Sequence, residues 1–78
     1  MDEMQRKEIA VDIGKRLSEY RKKAGFRSQT DLAEYMNCSR TRIAYWEAGR
    51  RTPDIFDIIQ LAEILKVSPA ILCGFRKQ

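Results

Sequence analysis

The chain has 78 residues, of which 44% are hydrophobic and 33% charged, and its net charge is +4 at pH 7. One small domain with a hydrophobic core is expected, and no apolar run approaches the roughly 20 residues that a membrane-spanning helix needs. The start, Met1-Asp2-Glu3, lacks a secretory signal, so we expect a cytoplasmic location and no membrane partner.

The first predicted helix carries an apolar stripe with helical spacing. Its hydrophobic residues recur three and four positions apart, at Ile9, Ile13, Leu17, Tyr20 and Ala24. Gly25 suits the left-handed position that often follows a helix end. We predict a helix that ends near Ala24 and has residues 1–8 as a polar N-terminal extension. Residues 9–73 then form the folded domain, and residues 74–78 form a C-terminal tail.

Two short helices with a brief connection follow. Ser28 is a favourable N-cap, supported by Asp31 three residues later, and Ser39 is a second N-cap. Asn37 tolerates the left-handed conformation that ends a helix. Because only a tight turn fits between Met36 and Ser39, we expect the two helices to cross at a steep angle.

The third helix, from Arg40 to about Ala48, separates into two faces at 100° per residue. One face is mostly apolar and should pack on the domain; it carries Ile43, Trp46 and Glu47. The opposite face, here called the outer face, carries Arg40, Thr41, Ala44 and Tyr45, with Arg42 at its flank. The outer face is our candidate functional surface.

A basic loop and two further helices complete the chain. The basic loop is Arg50-Arg51-Thr52-Pro53. Asp54 caps the fourth helix, whose predicted core residues are Ile55, Ile58, Leu61, Ala62 and Leu65. Ser68 caps a last short helix that begins at Pro69. No segment alternates with a period of two, so the predicted fold class is all-α with five helices.

Positive charge is concentrated around the two short helices. Residues 15–51 contain ten basic and four acidic residues, which leaves +6 there against +4 for the whole chain. A basic segment that coincides with two steeply crossed short helices favours a nucleic-acid partner over an ordinary solvated surface.

Catalytic and metal-binding residues are scarce. The sequence has no histidine, and Cys38 and Cys73 are too few for a four-ligand zinc site. We interpret both cysteines as small, partly buried hydrophobic side chains. The sequence contains no glycine-rich phosphate loop, nucleophile elbow or cluster of acid–base groups. We therefore expect no enzyme activity, no cofactor, no metal and no small-molecule ligand.

Three segments together resemble the helix-turn-helix family of phage repressors and Cro, often called XRE-type. They are Gly25-Phe26-Arg27-Ser28-Gln29-Thr30-Asp31-Leu32-Ala33, then Ser39-Arg40-Thr41-Arg42-Ile43-Ala44-Tyr45-Trp46-Glu47, and then Gly49 with Pro53. The resemblance implies a compact five-helix bundle of the lambda-repressor type whose third helix lies in the major groove, and a homodimer on a palindromic operator. Two features depart from the pattern, namely the extra residue Arg27 and the turn Asn37-Cys38.

The resemblance assigns base-reading positions to Arg40, Thr41, Ala44 and Tyr45. The chemistry agrees, because arginine can bond guanine O6 and N7 as a fork, while Ala44 and the Thr41 methyl can touch a thymine methyl. DNA-backbone contacts are assigned to Ser28, Gln29, Ser39, Arg42, Arg50 and Arg51, and the amino end of the second helix also favours phosphate.

Arg21 and Glu47 receive an architectural role instead. They correspond to an internal ion pair that is common in the family and joins the first helix to the third. Glu47 also lies on the inward face, where an unpaired charge would be costly. Trp46, beside Ile43, is interpreted as a core residue rather than a base-stacking platform.

The leading hypothesis is a sequence-specific transcription regulator, acting as a repressor on double-stranded DNA. The alternative is an antitoxin or co-regulator whose main partner is another protein. Ile71, Leu72 and Phe75 are candidates for a homodimer seam or such a partner site.

Overall fold

A computed structural model describes residues 1–74, which form five helices. In chain order these are α1 (Glu3–Lys23), α2 (Gln29–Met36), α3 (Arg40–Ala48), α4 (Ile55–Leu65) and α5 (Pro69–Cys73). Residues 1–74 contain no strand, and the all-α fold class with five helices is confirmed. None of the helices in this part of the chain is long and apolar enough to cross a membrane.

Each helix begins at a side chain that accepts a hydrogen bond from a backbone N–H three residues later. The four caps expected from the sequence do so, namely Ser28, Ser39, Asp54 and Ser68. In α1 the cap is Asp2, whose Oδ1 accepts from the Gln5 N–H at 2.8 Å while Gln5 Oε1 accepts from the Asp2 N–H at 3.0 Å. This reciprocal capping box starts α1 at Glu3, within the polar segment.

The core lies where α1, α2 and α3 meet α4 and α5. It consists of Leu17, Leu32, Ala33, Ile43, Trp46, Leu61, Ala62, Leu65 and Leu72. α3 packs against both α1 and α2, and α5 packs against α1 and α4. Burying each large apolar side chain contributes about 1.5–3 kcal/mol, so this cluster holds α3 in one orientation.

The buried face of α1 differs from the predicted stripe. Ile9 is 40% exposed and Ala24 is exposed, whereas the buried residues are Ala10, Gly14, Leu17 and Arg21. The reason is a close backbone approach, because a Cβ at Gly14 would lie 2.5 Å from the carbonyl oxygens of both Trp46 and Glu47. The prediction of the stripe was therefore wrong at its two ends.

Two further predictions about apolar residues were wrong. Ile55 is 61% exposed because the first turn of α4 extends beyond the core, while Ile58, almost one turn later, is only 4% exposed. Leu72 is 1% exposed and belongs to the core, so it is not available for a seam between subunits. Ile71 is 41% exposed, and Phe75 lies outside the described residues.

Candidate nucleic-acid interface

The turn between α2 and α3 has three residues, Asn37 to Ser39. Asn37 adopts the left-handed conformation with φ +61°, and the Cys38 N–H donates to the Ala33 carbonyl at 2.9 Å. Ser39 then starts α3, with its Oγ accepting from the Arg42 N–H at 3.2 Å. These hydrogen bonds close the turn from both sides and fix the angle at which α3 leaves it.

The outer face of α3 is accessible and its inner face is not. Arg40, Thr41 and Arg42 are exposed, and Ala44 and Tyr45 are half-buried. On the opposite side Ile43 is fully buried and Trp46 is 4% exposed, so Trp46 is a core residue as predicted. The structure thus places the four proposed base-reading residues on one accessible side of a single helix.

A chain of hydrogen bonds joins the outer face to a buried ion pair. Arg40 donates to Gln29 Oε1 at 3.1 Å, and Gln29 Nε2 donates to Glu47 Oε1 at 2.9 Å. Glu47 Oε2 accepts from Arg21 Nε at 2.6 Å, and Arg21 also donates to the Phe26 carbonyl at 2.8 Å. The Arg21 and Glu47 side chains are only 6% and 7% exposed. Three helices are therefore connected at the base of the candidate interface.

The chemistry of this chain fixes the orientation of the Gln29 amide. A guanidinium can only donate and a carboxylate can only accept, so the amide oxygen must point to Arg40 and the nitrogen to Glu47. Gln29 was assigned to the DNA backbone from the sequence. The structure gives it a second task, because it holds Arg40, while its remaining N–H can still donate to a phosphate.

Arg42 lies on the flank of α3 nearest to α4. Its guanidinium is 3.9 Å from Asp57 Oδ1 and 5.9 Å from the centre of the Trp46 ring, and its side chain is 56% exposed. An ion pair this long and this exposed is weak, so Arg42 keeps most of its capacity to bind an anion.

Cys38 lies near this pair but shows no sign of reactivity. Burial raises the pKa of the Cys38 thiol; Arg42 opposes this rise and Asp57 adds to it. The thiol therefore stays protonated at neutral pH. Cys38 and Cys73 are both free and half-buried, in agreement with their interpretation as small packing residues.

The basic loop is attached to the outer face through Tyr45. The guanidinium of Arg50 lies 5.0 Å from the centre of the Tyr45 ring, and that of Arg51 lies 5.9 Å from it. The Arg50 N–H also donates to the Tyr45 carbonyl at 2.9 Å. Stacking on the ring limits the conformations of two long side chains, which lowers the entropy lost when they bind an anion.

The two serines assigned to the DNA backbone are both exposed N-caps. Ser28 Oγ accepts from the Asp31 N–H at 3.0 Å, and Ser39 Oγ accepts from the Arg42 N–H. In each case the hydroxyl oxygen is used as an acceptor, so the O–H proton remains available for a phosphate oxygen.

Sequence reasoning missed Asp57 as the partner of Arg42 and the bridging position of Gln29. Asp57 also takes part in the α4 cap, since its N–H donates to Asp54 Oδ1 at 2.8 Å. No pattern in the sequence connects residues 42 and 57, because their proximity depends on how α4 packs beside α3.

Comparison with known proteins shows which family has this arrangement of helices. Residues 17–72 match the helix-turn-helix family model, and they include α2, α3 and the turn between them. The chain belongs to the helix-turn-helix family. The XRE-type resemblance is thereby confirmed.

One curated relative of this helix-turn-helix chain is the HTH-type transcriptional regulator ImmR of Bacillus subtilis (strain 168). The two are 34% identical over 64 residues, which make up 82% of this chain and 50% of ImmR. The chain thus spans about half the length of that regulator. No solved structure matches the chain significantly.

Proposed function

We propose that this chain is a sequence-specific regulator of transcription that binds double-stranded DNA with α3 in the major groove. The observation that carries the proposal is the hydrogen-bonded chain from the buried Arg21–Glu47 pair through Gln29 to Arg40. It holds a forked donor at the first position of an exposed helix, and such a donor matches the O6 and N7 acceptors of guanine. The likeness to a transcriptional regulator, ImmR, supports the same reading.

The proposed contacts divide into two kinds. Arg40, Thr41, Ala44 and Tyr45 read base edges, and their shared accessibility on α3 supports this role. Ser28, Gln29, Ser39, Arg42, Arg50 and Arg51 hold the backbone. The protein acts as a repressor by occupying a palindromic operator as a homodimer.

The homodimer contact that we propose is on α4. Ile55, Phe56 and Ile59 are 61%, 76% and 46% exposed and lie on adjoining positions of its first turns. A second copy of the chain is the occupant that fits the proposal best, because a palindromic operator needs two copies of α3 related by a twofold axis and an isologous contact supplies that symmetry. A protein partner of an antitoxin or co-regulator would use the same apolar side chains, and it is the second candidate function.

The test is a selection of bound sequences from random duplex DNA, followed by affinity measurements on the selected and on unrelated sequences. The Arg40→Ala variant should lose about 1–3 kcal/mol of binding free energy on the selected sequence, and it should accept other bases at one position of that sequence. Arg50→Ala should weaken binding to both sequences equally, and the slope of log affinity against log salt should become shallower by about one unit. Equal losses on both sequences for both variants would refute the division of roles. Failure to enrich any sequence would refute specific DNA binding and favour the protein partner.

The homodimer is tested separately by sedimentation of the free protein and of its DNA complex. Phe56→Lys should shift the free protein toward a monomer and leave its helical content unchanged, since Phe56 is 76% exposed. A wild-type protein that is monomeric both free and on DNA would contradict this part of the proposal.

A further inference from the structure

The cations of the first two turns of α1 have no role in the interface described above. Arg6 and Lys7 are exposed, and they line an open cleft of about 600 Å³ between α1 and the basic loop. The other polar side chains of this flanking cleft are Glu3, Arg50, Arg51 and Thr52. Four cations thus face a single carboxylate.

Two glycines determine why α1 lies beside the basic loop. A Cβ at Gly49, where φ is +76°, would lie 2.9 Å from the Cα of Val11, and a Cβ at Gly14 would meet the carbonyl oxygens at the end of α3. The carboxyl end of α3 therefore rests directly on the α1 backbone. Lys7 is one turn before Val11 on the same side of α1 and Arg6 is one turn before Ala10, which also lines the cleft, so this junction fixes the backbone from which both side chains extend.

The flanking cleft is continuous with the outer face of α3. Arg51 and Thr52 line this cleft and also line a second one, on the other side of the loop, together with Thr41, Arg42 and Tyr45. The basic loop is thus a ridge shared by two neighbouring surfaces. Asp54 and Asp57 also line the second cleft, so the path that a polyanion would follow from the outer face to the flanking cleft runs over Arg51 and Thr52.

The cations of the cleft are free to bind an anion. Within residues 1–74, none of Arg6, Lys7, Arg50 and Arg51 forms a salt bridge with a carboxylate. Uncompensated cations on a rigid scaffold are the features that hold a phosphodiester backbone, because each phosphate contact displaces condensed counterions from the DNA.

We infer that the flanking cleft is an additional phosphate site, in which Arg6 and Lys7 hold the DNA backbone beyond the contacts made by the helix-turn-helix. The inference rests on the proposed DNA-binding function. It enlarges the DNA footprint to include the amino-terminal turns of α1, and it adds affinity without adding sequence preference.

The test compares two charge-matched double variants. Arg6→Gln/Lys7→Gln removes two charges from the flanking cleft, and Lys23→Gln/Lys66→Gln removes two from the cleft at the opposite end of α1, which Tyr20 and Val67 also line. Lys7 and Lys23 are about 24 Å apart along the helix. Both variants reduce the net charge by the same amount. Lys23 is paired with Glu19 at 3.2 Å, but an ion pair this exposed contributes little, so the two variants differ chiefly in the position of the charges.

Dissociation constants are measured on the sequence selected by the wild type and on unrelated duplex, across a salt series. Arg6→Gln/Lys7→Gln should weaken binding to the selected sequence and to unrelated duplex by about tenfold each, and the slope of log affinity against log salt should become shallower by about 2. The control double variant should keep the wild-type slope. Arg6→Lys/Lys7→Arg, which keeps both charges, should restore binding, and Glu3→Gln should strengthen it about twofold.

Phosphate ethylation interference gives a readout that a structural role would not affect. In the wild type it should mark phosphates beyond the half-site, and these marks should disappear in Arg6→Gln/Lys7→Gln. Equal losses in the two double variants, or an unchanged slope in both, would overturn the phosphate site while leaving the proposed function intact. A wild type without affinity for any duplex would overturn both.

Discussion

Arg21 and Arg42 each lie beside one carboxylate, on opposite sides of α3. Arg21 is 5% exposed, its Nε is 2.6 Å from Glu47 Oε2, and it also donates to the Phe26 carbonyl. The Arg42 guanidinium is 3.9 Å from Asp57, and its side chain is 56% exposed. The guanidinium–carboxylate distance is thus short and the pair is buried on one side of α3, whereas on the other side the distance is long and the pair is solvated.

The difference follows from the cost of removing charge from water. A buried guanidinium loses its hydration and is tolerated only when its donors are satisfied, which Glu47 and the Phe26 carbonyl accomplish for Arg21. Arg42 keeps its hydration and gains little from Asp57. One arginine is therefore part of the architecture that orients α3, and the other remains available to a ligand. The predictions below test that division.

The largest effect is expected for Arg21→Ala, which leaves the Glu47 carboxylate buried without its cation. We expect a loss of about 3 kcal/mol in the free energy of unfolding, near the lower end of the range for broken buried pairs because Gln29 still donates to Glu47. A chain of this size has only about 4–12 kcal/mol in total. Urea denaturation followed by circular dichroism measures the change.

The matched variant for this prediction is the double change Arg21→Met/Glu47→Leu, which removes both charges together. It should recover most of the stability, because two apolar side chains replace a pair whose desolvation was costly. An unfolding midpoint for Arg21→Ala equal to that of the wild type would contradict the architectural role of Arg21.

The next largest effect concerns the packing of α1 against α3. Replacing glycine by alanine within a helix normally stabilises by about 0.5–1 kcal/mol, but at Gly14 the new Cβ would lie 2.5 Å from two backbone carbonyl oxygens. We therefore expect Gly14→Ala to destabilise by about 1–3 kcal/mol. Thermal denaturation compares it with Ser18→Ala, a change elsewhere on α1 that should have little effect. A stabilised Gly14→Ala variant would mean that the close approach is not maintained.

These two positions also mark the limit of what the sequence can predict. The caps Ser28, Ser39, Asp54 and Ser68 were found because a cap is a local pattern of a few residues, and the helix-turn-helix followed from their spacing. The core-facing residues of α1 were not found in full. Gly14 is buried there although it was not predicted to be, and Arg21 was placed inside only through the family resemblance, because a hydrophobic pattern counts neither residue type as core.

The site shows the same division between local and tertiary information. The outer face of α3 follows from helical periodicity, and the family resemblance brought Arg21 together with Glu47. The bridge from Gln29 to Arg40 and the contact of Arg42 with Asp57 depend on how separate helices pack. No spacing in the sequence encodes such contacts, which is why Ile55 was also placed in the core although it is exposed.

The smallest effect on stability is expected for Arg42→Ala, the counterpart of Arg21→Ala on the outer side of α3. We expect a change below about 1 kcal/mol in the free energy of unfolding, because an exposed ion pair of this length contributes little. DNA affinity should instead fall on selected and unrelated sequences alike, with a salt dependence shallower by about one unit. The main defect of Arg21→Ala should thus be in folding stability, and the main defect of Arg42→Ala should be in DNA binding.

Arg42→Lys separates the charge of Arg42 from its shape. Lysine keeps the positive charge but lacks the planar group that lies 5.9 Å from the Trp46 ring centre. If Arg42 serves mainly as a phosphate contact, Arg42→Lys should keep the wild-type salt dependence and most of the affinity. If both Arg42→Ala and Arg42→Lys unfold as readily as Arg21→Ala, the contacts with Asp57 and Trp46 are architectural, and the contrast between the two sides of α3 does not hold.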